Sequence, residues 1–127
     1  MDETSRKVEE ICEKDTRYRP EAYIFVLVAL EYALRKISER RHLTGQELSQ
    51  GIRACALQQY GLMARTVLEN WGCHRTDDFG NLVYNMIEAG IMSKTPQDRL
   101  EDFHEVYDFG EAFTEGYRLG EDQNEHQ

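Results

Sequence analysis

The sequence lacks any apolar run long enough to cross a membrane. Its longest run is Ala22–Leu30, which as a helix would span roughly 14 Å, about half of a bilayer core. The N-terminal stretch MDETSRKVEEICEK is charged and has no apolar segment of the kind found in signal peptides. We therefore expect a cytoplasmic protein with no membrane span, and we interpret Ala22–Leu30 as part of a buried helix.

Cysteine is also scarce, with only Cys12, Cys55 and Cys73 in the chain. An odd number of widely spaced cysteines argues against a disulfide framework and fits a reducing compartment. Structural zinc sites use paired ligands such as C-x2-C, and Cys73, His74 and His104 do not have such spacing. We therefore expect neither a metal site nor a cofactor.

No glycine-rich phosphate loop and no nucleophile elbow occurs in the sequence. Cys73, His104 and Asp108 are residue types that could form a nucleophilic triad, but no motif spacing brings them together. The acidic residues near the C-terminal end lack the D-x-D-x-D-G order of a calcium loop, and we interpret them as a solvated face. They are Asp98, Glu101, Asp102, Glu105 and Asp108.

Positive charge is scarce behind Gly72. Residues 1–60 carry ten acidic and ten basic side chains, whereas residues 72–110 carry eight acidic and three basic ones, a net charge of −5. Residues 111–127 carry five acidic side chains and one basic one, so the whole net charge of −9 lies in the C-terminal part of the chain. This part should repel phosphates, and binding to nucleic acid is therefore not expected.

Apolar residues recur at helical spacing along most of the 127-residue chain, which has the length of one domain. We expect five helices. The first begins at Thr4 or Ser5 and ends near 15–19, the second extends from Pro20 to about Arg41, and the third begins at the Thr44 cap. The fourth follows the break at Gly61 as far as Trp71, and the fifth extends from Thr76 to Gly90. In the second helix, the β-branched Ile24, Val26 and Val28 leave a strand as the competing interpretation. Because EYALRKISERR continues the pattern with no turn signal, we favour a helix that is covered on nearly every side.

Several helix boundaries have specific sequence signals. In LTGQEL, Thr44 is followed three residues later by Glu47, which is the spacing of a capping box. Thr76 is a plausible cap for the fifth helix. Gly72 and Gly90 fit the left-handed position just past a helix end, where glycine is strongly enriched.

Residues 95–109 have two alternative interpretations. The even spacing of the aromatic residues in FHEVYDF favours a small β-hairpin that pairs about 91–94 with 103–108. The stretch TPQD at 95–98 could equally cap a short helix. We favour the hairpin.

The sequence therefore predicts a mainly α-helical bundle in a single domain over residues 1–118. Its C-terminal half, about 62–109, should be winged-helix-like, with a helix-turn-helix followed by the small hairpin. A short helix is expected at 110–118, and the polar tail at 119–127 is expected to be disordered.

The helix that begins at Thr76 occupies the place of a recognition helix in such a fold. Asn81 and Asn85 lie four residues apart and are of a type that reads adenine. Three carboxylates lie on the same helix, however, and no cation within it offsets them. A DNA reader needs Lys or Arg against phosphates, so we expect this helix to serve packing and protein contact.

We expect the partner surface on the outer face of that helix and at the end of the second helix. Tyr84 is the one large side chain there that can anchor a partner, since Tyr is favoured at interface hot spots. The basic cluster Arg35, Lys36, Arg40 and Arg41 complements the negative helix end. It could also contact an acidic partner, or the chain's own acidic half in a homo-oligomer. The residues expected at the partner surface are Tyr84, Asn81, Asn85, Glu88, Arg40 and Arg41.

Four stretches of the sequence, LTGQEL, VLENWG, DFGNLVYNMIEAGIMSKT and EDFHEVYDF, together resemble a family of small uncharacterised bacterial proteins restricted to Verrucomicrobia and Planctomycetes. The resemblance extends over Tyr18–Phe113. It implies one folded unit in a bacterial cytoplasm, and it points to no particular activity, cofactor or catalytic residue. The function we expect is a non-enzymatic protein–protein interaction or adaptor module. The first alternative is a winged-helix DNA-binding transcriptional regulator, and the second is a small hydrolase or metal-binding protein.

Overall fold

The computed structural model describes residues 2–37, 41–93 and 99–115 of the chain. Within these ranges the fold is built from five α-helices: α1 (Glu3–Lys14), α2 (Pro20–Leu34), α3 (Gly45–Tyr60), α4 (Ala64–Asn70) and α5 (Thr76–Glu88). There are also two 3-10 turns, Gly61–Met63 and Leu100–Phe103, and a π-helical turn, Glu111–Glu115. The mainly α-helical class predicted from the sequence is confirmed.

Helix α2 forms the centre of the fold, and the competing strand interpretation is wrong. Its residues Tyr23, Val26 and Ala29 are fully buried in the core. Helix α3 crosses it closely because Gly51 has no side chain: a Cβ at Gly51 would lie 2.8 Å from the Cβ of Ala33. At this point α3 therefore lies directly against Ala29 and Ala33 of α2.

One stripe of α2 nevertheless faces solvent. Ile24 and Val28 lie four residues apart, on the same face of the helix, and are 41% and 47% exposed. The expectation that α2 is covered on nearly every side is therefore wrong. The helix also ends at Leu34 and not near Arg41, because i→i−3 hydrogen bonds from Lys36 and Ile37 tighten the chain into a turn.

Three of the predicted helix boundaries are confirmed. The Glu47 N–H donates to Thr44 Oγ1 at 3.1 Å and the Thr44 N–H donates to Glu47 Oε1 at 2.9 Å, which completes the capping box. Gly72 and Gly90 end α4 and α5 with positive φ angles of 103° and 80°. At Gly72 the requirement for glycine is twofold, since a Cβ would also collide with the carbonyl oxygen of Arg17.

Two predicted caps are wrong. Helix α1 begins after Asp2, whose carboxylate accepts a 2.8 Å hydrogen bond from the Ser5 N–H, so neither Thr4 nor Ser5 caps it. Thr76 does not cap α5 either. Its buried hydroxyl donates to the carbonyl oxygen of Phe103 at 2.6 Å and accepts from the Val106 N–H at 3.1 Å.

These two hydrogen bonds occupy backbone groups of Phe103 and Val106 that the expected hairpin would have used. No strand occurs in the described parts of the chain, and the winged-helix interpretation is therefore wrong. A partner strand would have bonded to the backbone N–H and C=O groups of residues 103–108. Some of these groups bond instead to the Thr76 hydroxyl, and the Glu105 N–H lies 3.5 Å from Asp77 Oδ1. Residues 94–98, including the alternative TPQD helix start, lie outside the described residues.

The aromatic residues that suggested a strand pack against the core from a 3-10 turn, a loop and the start of a helical turn. Phe109 stacks on Phe79 with ring centroids 5.7 Å apart, and the edge of Phe113 meets Phe109 at 5.0 Å. The chain is helical over 109–115, and Ala112 and Phe113 are buried, as the sequence predicts for the start of its last helix. The remainder of that helix and the polar tail lie outside the described residues.

Loss of the α3 cap provides a test of this helix start. Thr44→Ala removes the acceptor for the Glu47 N–H and should lower the free energy of unfolding by about 1 kcal/mol, a usual cost for a lost cap. Thr66→Ala, on the exposed side of α4, is the matched control and should change it by less than about 0.5 kcal/mol. Urea denaturation measures both, and equal midpoints for the two variants would contradict the cap.

Candidate binding groove

The polar face of α5 is hydrogen-bonded to the loop between α1 and α2 and to the start of α2. Asn81 Nδ2 donates to the Tyr18 hydroxyl at 2.9 Å. Asn85 Nδ2 donates to Asp15 Oδ2 at 2.9 Å and to the Tyr23 hydroxyl at 3.1 Å. The two amides that we expected at a partner surface are therefore engaged within the molecule, although whether either residue also meets a partner stays a prediction.

Asp78 joins the same network and caps α5. Its Oδ2 accepts from the backbone N–H groups of His74 at 2.8 Å and Arg75 at 3.2 Å, so the third residue of the helix satisfies the orphan donors before it. Its Oδ1 accepts from the Tyr18 hydroxyl at 2.6 Å. Burial, and then this hydrogen bond, raises the pKa of Tyr18 above its ordinary value, which keeps the phenol protonated as a donor.

The segment after residue 99 is attached to the start of α5 by an ion pair. His104 Nδ1 lies 2.7 Å from Asp77 Oδ2, and its Nε2 lies 3.7 Å from Glu105 Oε1. The hydrogen bond to Asp77, and then the charges of Asp77 and Glu105, raise the pKa of His104, while Arg75 opposes them. Burial tends to raise the pKa of Asp77, but hydrogen bonds from His104 and from the Glu105 N–H outweigh it, and the net shift is downward.

The residues considered for catalysis are not brought together. Cys73 is buried in the core, and burial raises the pKa of its thiol to about 12, which keeps it protonated. His104 pairs with Asp77 and not with Asp108, whose carboxylate accepts from the Glu111 N–H at 3.2 Å. No cluster of three potential metal ligands occurs within the described residues.

An apolar groove of about 330 Å³ opens where the end of α2, the start of α3 and the outer side of α5 meet. The 3-10 turn Leu100–Phe103 forms one wall of it. Its apolar lining includes Leu30, Leu34, Leu48, Val83, Ile87 and Met92. A cavity of this size, mainly apolar and with a few polar groups at its edge, has the general properties of a binding site.

Two glycines make the wall of the groove possible. A Cβ at Gly80 in α5 would lie 2.9 Å from the ring of Phe103, and a Cβ at Gly45 in α3 would lie 3.0 Å from the same ring. Both contacts are tighter than ordinary packing allows, so glycine at these positions lets Phe103 pack between the two helices. Sequence reasoning missed Leu100 and Phe103 as site residues. The signal that could have revealed the site is Gly80, since a glycine inside an apolar helical stripe often marks a close approach.

The groove contains two of the residues predicted for partner contact. Tyr84 lines it and is 46% exposed, and Leu100 beside it is 52% exposed. Arg41 also lines it and is held by Glu47 through hydrogen bonds of 2.9 and 2.7 Å. The hydrogen bonds from Arg41, and then that from the Thr44 N–H, lower the pKa of Glu47 to about 2.

The other predicted contact residues lie elsewhere. Asn81 and Asn85 do not line the groove, and Glu88 lies on a separate cleft shared with α1. Arg40 lies outside the described residues. The structure therefore brings Tyr84 and Arg41 together in one groove, and it places Asn81, Asn85 and Glu88 outside it.

Comparison with known proteins finds no matching family model, no matching curated protein and no matching solved structure. The resemblance to the Verrucomicrobia and Planctomycetes family therefore stays a prediction. Across the described helices, none combines the length and the apolar character needed to cross a bilayer.

The internal role of the α5 amides can be tested on two neighbouring polar residues of the helix. Asn85→Ala removes a donor to Asp15 and to the Tyr23 hydroxyl, and we expect the free energy of unfolding to fall by about 1 kcal/mol because two part-buried hydrogen bonds are lost, although Asp15 keeps its bonds from Arg17. Glu88→Ala, one turn further on and exposed, should change it by less than about 0.5 kcal/mol. Chemical denaturation distinguishes them, and an unaffected Asn85→Ala protein would show that the network does not stabilise the fold.

The His104–Asp77 pair should make stability depend on pH. Because folding raises the pKa of His104 above its ordinary 6.5, the contribution of the pair is complete below about pH 6.5. It is lost as the pH rises through the higher value of the folded state. The difference in urea midpoint between the native chain and His104→Gln should therefore shrink from pH 5.5 to 8.5. A difference that stays constant, or that grows with pH, would contradict the pairing. Asp77→Asn should remove most of the pH dependence of this difference in urea midpoint.

Proposed function

We propose that this protein is a non-enzymatic interaction module that binds apolar side chains of a segment of another protein in the groove between α2, α3 and α5. The observation that supports this function is the groove itself. It is mainly apolar, and Tyr84 and Leu100 are about half exposed at its edge. Large apolar side chains that stay exposed beside a cavity are typical of a surface that a partner covers.

Three observations count against the alternative of a DNA-binding transcriptional regulator. A winged helix needs the hairpin, and the described residues contain no strand. The amides that would read bases are hydrogen-bonded to Tyr18, Asp15 and Tyr23. The net charge of residues 72–110 is −5, which opposes the phosphate contacts that dominate DNA affinity.

A selection with a displayed library of random peptides tests the proposed function without knowledge of the natural partner. We expect peptides with two or more apolar anchors to bind the full chain. Tyr84→Ala and Leu100→Gln should each weaken their binding about tenfold or more, since truncated hot-spot side chains typically cost at least about 2 kcal/mol. Calorimetry or fluorescence anisotropy with resynthesised peptides measures the change.

Leu62→Gln is the matched control, because Leu62 is 62% exposed on the turn between α3 and α4 and does not line the groove. It should leave peptide binding unchanged, and all three variants should keep the helical circular dichroism of the native chain. Failure to select any peptide, or peptides whose binding is lost with Leu62→Gln and retained with Tyr84→Ala, would contradict the proposal.

A further inference from the structure

The charged side chains that line the groove are basic, whereas the protein as a whole is acidic. The chain carries a net charge of −9, yet no Asp or Glu is among the described residues that line the groove. The basic side chains that line it are Arg41, His42 and Arg99, and Glu47 and Glu101 pair with the two arginines from outside the lining. A surface of this composition is electrostatically complementary to carboxylates.

Arg99 is the group best placed to change partner when something binds. Its side chain is 70% exposed, and the ion pair that the structure gives it is a 3.3 Å contact to Glu101, which is itself 73% exposed. Exposed pairs of this kind are weak and screened by salt. A carboxylate at the edge of the groove can therefore replace Glu101 at little cost. Arg41, in contrast, is fixed by Glu47 and contributes a second guanidinium in a defined position.

We infer, on the basis of the proposed function, that the partner segment is acidic and amphipathic: its apolar side chains enter the groove and its flanking Asp or Glu residues lie against Arg99 and Arg41. The half-exposed Tyr84 and Leu100 favour a peptide over a single acyl chain, because a segment with several side chains covers both. A second copy of this chain fits less well. In a two-fold symmetric contact the same patch faces itself, and the arginines of the two grooves would repel each other.

The test uses two displayed libraries of helical peptides with identical apolar anchors at i, i+4 and i+7. One library has Asp and Glu at the flanking positions, and the other has Lys and Arg. We expect the acidic library to supply the binders. Arg99→Glu should weaken the best acidic peptide about five- to tenfold, as expected when an attractive contact is replaced by a repulsive one. The preference should also shrink as salt is raised.

Arg65→Glu provides a control with the same change of charge. Arg65 is exposed on α4, pairs with Glu69 at 3.0 Å and does not line the groove. It should alter binding of the acidic peptide less than twofold. Equal effects of Arg99→Glu and Arg65→Glu would show that only net charge matters, and would overturn the inference.

The remaining outcomes distinguish a failure of the acidic preference from a failure of the proposed function. Equal binding of acidic and basic peptides, abolished by Tyr84→Ala, would overturn the acidic preference while the proposed function stands. If neither library binds, the proposed function fails as well. Displacement of the acidic peptide by dodecanoate at concentrations below its micelle-forming range, with an affinity exceeding that of the peptide, would overturn the assignment in favour of a small apolar carboxylate.

Discussion

Hydrogen bonds join the polar face of α5 to the loop between α1 and α2 and fix the orientation of that helix. Asp78 caps α5 through two backbone N–H groups and also accepts from the Tyr18 hydroxyl. The same carboxylate thus accepts from unpaired backbone N–H groups at the start of the helix and also holds Tyr18, which lies sixty residues earlier in the sequence. Since Asn81 and Asn85 extend the network along the helix, the face that a DNA reader would present is turned inward.

The groove is a consequence of this arrangement. Once the polar face of α5 is bound to the loop, its neighbouring flank, which contains Gly80, Val83 and Tyr84, remains beside the end of α2. The wall that completes the groove is attached through side chains of the first turn of α5, because Thr76 binds the carbonyl of Phe103 and Asp77 binds His104. The start of α5 therefore positions both the hydrophobic core and the site.

Helix boundaries that depend on residues within one turn of each other could be predicted from the sequence. The Thr44 cap and the glycine stops at 72 and 90 follow from local backbone chemistry and are confirmed. The sequence could not reveal that Thr76 binds residues about thirty positions away, because a threonine before a helix looks the same whether it caps or not. The even spacing of aromatic residues near Phe103 was misleading for a related reason. Phe109 is buried by packing against Phe79, and Phe103 packs beside Gly45 and Gly80, so neither is buried by a sheet. Among the residues that line the groove, Tyr84 and Arg41 were predicted for partner contact, whereas the wall at Leu100 depends on long-range contacts with no local pattern.

We propose that the groove, and not the exposed stripe on α2, is the surface that meets a partner. Methyl chemical-shift mapping of the full chain with a selected acidic peptide distinguishes the two surfaces. We expect shifts at methyl groups that line the groove, such as those of Leu30, Val83 and Leu100. We expect none at Ile24 and Val28, which are exposed on a different face of α2. Shifts concentrated at Ile24 and Val28, with the groove methyl groups unchanged, would show that the partner binds the stripe on α2 and not the groove.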